Sequence, residues 1–119
     1  MQHYETIADL TRNGFDIIVD KTWEDLSLSQ FFDESCHNIA ELAQDIDSGN
    51  LDWFMLRVRV MFDGHEVAAN YLGGCLYKDA QEVMTDGTAE DLIEHSLEKA
   101  QDELRRLKHK LIKMDLETT

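Results

Sequence analysis

Leu51–Phe62 (LDWFMLRVRVMF) and His65–Tyr77 (HEVAANYLGGCLY) flank the dipeptide Asp63-Gly64, and this stretch decides the fold. A two-residue type I′ turn needs positive φ at both central positions, which Asp-Gly supplies at low cost. Alternating residues on either side then read as two antiparallel strands. An uninterrupted register places Phe54, Leu56, Val58, Val60 and Phe62 on one face with Val67, Ala69, Tyr71 and Cys75, the expected core face. The other face carries Trp53, Met55, Arg57, Arg59 and Met61 beside Glu66, Ala68, Asn70 and Leu72, a mixture unlike either a core or a solvent face. Arg57 and Arg59 are expected to pair with a local acid such as Glu66; an anionic ligand or a partner's acidic residue is the alternative.

Upstream, Phe15, Ile17, Val19 and Trp23 alternate with polar positions and predict a third strand. Tyr4, Ile7, Ala8 and Leu10, ahead of Asn13-Gly14, predict a short amphipathic helix. From Ser29 to Ser48, Phe32, Cys36, Ile39, Ala43 and Ile46 fall on one helical stripe, with Glu34, Glu41, Asp45 and Asp47 outside it and Gly49 as the stop. Downstream, a short helix is expected over Asp79–Thr85. Thr88 then caps a long helix, about 89–114, with Glu90 and Asp91 in its first turn, where the helix dipole favours negative charge. The expected architecture is one α+β domain over residues 1–119. It has a small mixed or antiparallel three-stranded sheet with a central β-hairpin, helices packed on one face and a long C-terminal helix.

The 119 residues include 25 acids and 11 bases, a net charge of −14. Residues 1–98 hold 21 acids and 5 bases, net −16, whereas residues 99–119 hold 6 bases and 4 acids, net +2. Such a body repels nucleic acid and anionic lipid, so direct nucleic-acid binding and membrane attachment are not expected, and the anticipated partner is a basic protein. Charges interrupt every apolar stretch before membrane-spanning length, and the N-terminus lacks a leader pattern, which reads as cytoplasmic. Cys36 and Cys75, far apart and without a pairing pattern, read as reduced thiols.

Ile93, Leu97, Ala100, Leu104, Leu107, Leu111 and Met114 step by four and three, a heptad seam. Glu103 with Lys108, and Lys110 with Asp115, give opposite signs across a parallel pair. Leu97, Leu104, Leu107, Leu111 and Met114 are therefore candidates for self-association as a homodimer; packing on the chain's own sheet is the plainer alternative. Glu90, Glu94, Glu98 and Asp102 step by four along another ridge, about 6 Å apart, close to the ~7 Å between phosphates of one nucleic-acid strand. With Glu41 and Asp45 as a second patch they are the candidate acidic partner-binding residues, against the bland reading of a solvated helix face. Gly73-Gly74 inside a strand marks a bulge or the close approach of a large ring, for which Trp53 is the cross-strand candidate. Cys75 after those glycines lacks a nominated base, so a cysteine nucleophile is a third-ranked reading. Asp91 and His95 lie one turn apart, but no metal site, cofactor fingerprint or phosphate loop is expected.

The run from Trp53 through Leu72-Gly73-Gly74-Cys75-Leu76-Tyr77 to Asp86-Gly87-Thr88-Ala89-Glu90-Asp91-Leu92 resembles small acidic accessory proteins of phages, prophages and plasmids. That class includes inhibitors of restriction and CRISPR defence. The resemblance covers about a third of the chain and transfers no functional residue. It implies a stoichiometric, noncatalytic inhibitor in the host cytoplasm that occupies a nucleic-acid-binding surface of a host complex, with acidic mimicry of DNA as the expected means. The alternative function is an assembly module that self-associates through the heptad helix.

Overall fold

The computed structural model describes residues 3–33, 35 and 38–118. Four strands, β1 (Glu5–Arg12), β2 (Phe15–Trp23), β3 (Asp52–Phe62) and β4 (His65–Tyr77), form one antiparallel sheet in chain order. Two helices accompany it, α1 (Ile39–Asp47) and α2 (Thr88–Thr118), with short 3-10 turns at Leu28–Gln30 and Ala80–Met84.

The sheet has four strands, not three, because the segment expected as an N-terminal helix is β1. Asn13 (φ 56°) and Gly14 (φ 83°) build the same kind of turn as Asp63 (φ 51°) and Gly64 (φ 78°). A bulge in β1 breaks the pairing between Thr6 and Ala8. Ile7 and Ala8 therefore both reach the core with Leu10, and the period of two that would have marked a strand is lost. An isolated helix of two turns is marginal, whereas pairing with β2 satisfies the backbone.

Two bulges also correct the expected register of β4. Met61 faces Glu66 but Val60 faces Ala68, so Val67 is supernumerary. Asn70 and Leu72 consequently lie opposite Val58 and Leu56, while Ala69 and Tyr71, expected on the core face, lie opposite Arg59 and Arg57. Tyr71 is exposed. The second bulge, at Gly73-Gly74 with Gly74 at φ 71°, restores the original parity and returns Cys75 to the core opposite Phe54.

The core lies between one sheet face and α2. Phe15, Ile17 and Val19 of β2, and Phe54, Leu56, Val58 and Val60 of β3, meet Ala89, Ile93, Leu97 and Ala100 of α2, with Ala80 and Val83 from the second 3-10 turn. Each large side chain so buried contributes roughly 1.5–3 kcal/mol. Leu104 is the last helix residue packed against this cluster. The helix continues for fourteen more residues, about 21 Å, and the molecule measures 66 × 28 × 24 Å.

The helix expected over Ser29–Ser48 is shorter, starting at Ile39, where the Asn38 side chain accepts from the Glu41 N–H. Part of that expected stripe, Cys36 with Glu34 and His37, lies outside the described residues. Phe31 and Phe32 are drawn to Trp53 instead, with ring centroids 5.4 and 6.0 Å away. The Trp53 indole N–H donates to the Leu26 carbonyl, and buried Glu24 accepts from the Gly74 and Leu26 N–H groups. Phe31, not Trp53, covers Gly74: a Cβ there would stand 2.7 Å from the Phe31 Cε1. No residue of α1 is buried, and its main contacts are with the Leu28–Gln30 turn, so α2 alone is the helix that closes the core.

Candidate functional site

Along the acidic ridge of α2 the four carboxylates differ. Glu90 accepts from Arg12 Nη1 and Nη2 at 2.5 and 3.1 Å, and this hydrogen bonding holds its carboxyl below the usual range. Asp102 accepts from Arg105 at 2.6 Å. Glu94 and Glu98 between them are exposed, with no hydrogen bond or ion pair among the described residues. Glu41 is exposed and Asp45 half-buried on α1, which does not pack mainly on α2, so the two acidic sets belong to separately packed elements.

The heptad seam divides. Ile93, Leu97 and Ala100 are core residues, so Leu97 is committed to its own sheet. Leu104 and Leu107 are half-buried, whereas Leu111 (61% exposed) and Met114 (54%) project beyond the sheet. Ile112 and Phe62, which the seam spacing does not select, are exposed beside them. Phe62, Leu104, Leu107, Lys108, Leu111 and Ile112 line an open groove of ≈ 680 Å³. Phe62, expected on the core face, is the strand's last residue before the turn and packs its ring edge-on against Phe15, 5.8 Å between centroids. Its exposure follows from lying at the sheet's end, where α2 leaves it.

The helix segment that forms this groove is cationic. Residues 104–114 carry Arg105, Arg106, Lys108, Lys110 and Lys113 and no acid, net +5, leaving −19 for the rest of the chain. Arg105 and Arg106 are held by Asp102 and Glu103 one turn back. Lys108, Lys110 and Lys113 have no ion pair with any of the described side chains, which end at Met114.

On the sheet face away from α2, Arg57 and Arg59 pair with Asp20 rather than Glu66. Asp20 is directly opposite Arg57 in the β2–β3 register, and the Arg57 guanidinium also stacks 3.4 Å from the Tyr4 ring centroid. The hydrogen bond to Asp20 raises the Arg57 pKa. The cluster sets two arginines against one aspartate, net +1, and Arg59 Nε is a buried donor with no partner among the described residues.

Burial pushes the Cys75 thiol up to about 11, and it donates to the Leu72 carbonyl at 3.5 Å. A nucleophilic thiolate needs the opposite shift. His95 Nδ1 lies 2.8 Å from the Asp91 carbonyl, which engages the ring locally, and no group of three His, Cys, Asp or Glu is arranged to hold a metal among the described residues. Tyr77 ties β4 to α2 through Asp86 (2.6 Å) and Thr88 (3.0 Å). No described helix is long and apolar enough to cross a membrane.

Compared with protein-family models, curated proteins and solved structures, the chain matches none.

Proposed function

We propose that this protein is a noncatalytic protein-binding module, of inhibitor or adaptor type, that docks through the overhanging end of α2. One observation carries the reading: exposed Phe62 of β3 and exposed Leu111 and Ile112 of α2 line one groove, with exposed Met114 about one turn beyond Leu111 on a helix whose earlier seam is used by the core. Contiguous exposed apolar surface rimmed by charge is characteristic of interaction sites.

A second reading, the acidic inhibitor that occupies a nucleic-acid-binding surface of a host defence complex, is supported by Glu94 and Glu98, exposed one turn apart on a body of net −19. The two readings separate with variants of the full chain, immobilised and offered a bacterial host lysate. Partners lost with Leu111→Asp/Ile112→Asp and kept with Glu94→Lys/Glu98→Lys support docking through the overhang; the reverse pattern supports the acidic face. Partners unaffected by either pair, in variants whose circular dichroism is unchanged, reject both.

A further inference from the structure

Resting on the overhang reading, we infer that the groove between Phe62 and the end of α2 receives an amphipathic helix with acidic flanks, supplied by a different protein. The groove has an apolar floor of Phe62, Leu104, Leu107, Leu111 and Ile112. Leu104 to Met114 spans about 15 Å, three helical turns, the length over which a docked helix presents its i, i+3/i+4 and i+7 anchors. Lys108 lines the groove and Lys110 flanks the Leu107–Leu111 stripe on its other side, neither with a carboxylate partner among the described side chains, and no acid lies between positions 104 and 114. A helix with leucine-like knobs and glutamate flanks complements both properties. The chain's overall acidity points to a basic partner, but this exposed apolar groove has the opposite local sign.

A second copy of this chain complements the groove poorly in either direction. In a parallel pair the second helix faces the stripe at Leu107 and Leu111 and continues back along Ala100, Leu97 and Ile93. Those residues are covered by the sheet, which occupies the space about 10 Å from the helix axis that the second helix would need. In an antiparallel pair the sheet is avoided, but Lys108 and Lys110 of one copy lie beside the same lysines of the other. Like charges so juxtaposed oppose association. An anionic membrane or a nucleic acid extends past the three turns and meets the −19 body, whereas a short helix ends within the cationic stretch.

The test uses the full chain and two synthetic peptides of about three heptads, with leucine at the a and d positions and either glutamate or lysine at e and g. Fluorescence anisotropy is expected to show the glutamate peptide binding at least about tenfold more tightly than the lysine peptide. Lys108→Glu/Lys110→Glu/Lys113→Glu should reverse that order, and Leu111→Asp/Ile112→Asp should abolish both. Equal binding of the two peptides, or none, overturns the inference. So does a dimer in sedimentation equilibrium without peptide, or flotation with phosphatidylserine vesicles. Failure here is distinct from failure of the docking reading: if the glutamate peptide does not bind but Leu111→Asp/Ile112→Asp still loses lysate partners, only the acidic-helix inference falls.

Discussion

Asp20 lies directly opposite Arg57 in the sheet, the residue 1% exposed and its carboxylate receiving Arg57 Nε and Nη2 at 2.8 and 2.7 Å. Arg59 adds a longer contact at 3.4 Å. This ionic cluster explains the mixed composition of the sheet face away from α2: two arginines on adjacent outward positions of β3 are matched by one buried acid of β2 instead of by solvent.

Removing that acid should be more damaging than removing the whole pair. Asp20→Ala leaves two guanidinium groups in a half-buried site without a counter-charge, and the expected loss is about 3 kcal/mol or more. Asp20→Leu/Arg57→Met replaces the charges by apolar volume and should lose distinctly less. Urea denaturation followed by circular dichroism measures both; equal losses would show that packing, not charge compensation, governs the site.

Gly74 is constrained twice, by φ 71° and by the Phe31 ring lying over it. Gly64, also at positive φ (78°), faces open space. Gly64→Ala should therefore cost only the backbone strain, about 1 kcal/mol, while Gly74→Ala adds overpacking of about 1–3 kcal/mol. Phe31→Ala/Gly74→Ala should recover the overpacking part relative to the Phe31→Ala background. If Gly74→Ala and Gly64→Ala shift the unfolding midpoint alike, Phe31 does not close over the bulge.

Cys75 gives a pH signature. Its thiol is raised to about 11 in the folded chain, mainly by burial, against about 8.5 for a free cysteine. A raised folded pKa means that the unfolded chain releases the proton first. The contribution to stability is therefore complete below about pH 8.5 and is lost as pH rises toward 11. Relative to Cys75→Val, the wild-type protein should lose stability between pH 8 and pH 10.5, whereas the two should run parallel from pH 6 to pH 8. In a Cys36→Ser background, iodoacetamide should modify Cys75 far more slowly in the native protein than in urea at pH 8. Rapid native labelling would restore the case for a reactive thiol.

The parts of the fold legible in the sequence are those where one local rule acts alone. Asp63-Gly64 between alternating runs dictates the β3–β4 hairpin, and Thr88 with Glu90 and Asp91 announces α2. β1 was hidden because the bulge at Ile7 breaks its period of two, even though Asn13-Gly14 is the same turn signal. Of the two bulges in β4, Gly73-Gly74 marks one, but Val67 marks nothing, so half the strand's faces were inverted. Phe32 fits a helical stripe with Ile39 and Ala43 until Trp53 supplies a competing partner through tertiary packing. The seam of α2 was visible as a spacing, but that spacing is identical for residues packing on a sheet and residues packing on a helix. Where one use gives way to the other depends on where β3 ends, at Phe62.

That division predicts opposite outcomes for chemically identical substitutions in one stripe. Leu97 is 6% exposed and packed among Ile93, Ala100 and the sheet, so Leu97→Ala should cost about 2–5 kcal/mol through lost burial and a residual cavity. Leu111, fourteen residues later on the same stripe, is 61% exposed, and Leu111→Ala should alter stability by no more than about 0.5 kcal/mol. Denaturation of both variants at two protein concentrations checks this. A loss at Leu111 comparable to that at Leu97, growing as the protein is concentrated, would mean that α2 is buried beyond Leu104 by another copy, because only mass action makes a monomer's apparent stability depend on its own concentration. A small, concentration-independent change at Leu111 leaves its side chain where the groove requires it, uncommitted to the fold and open to a partner.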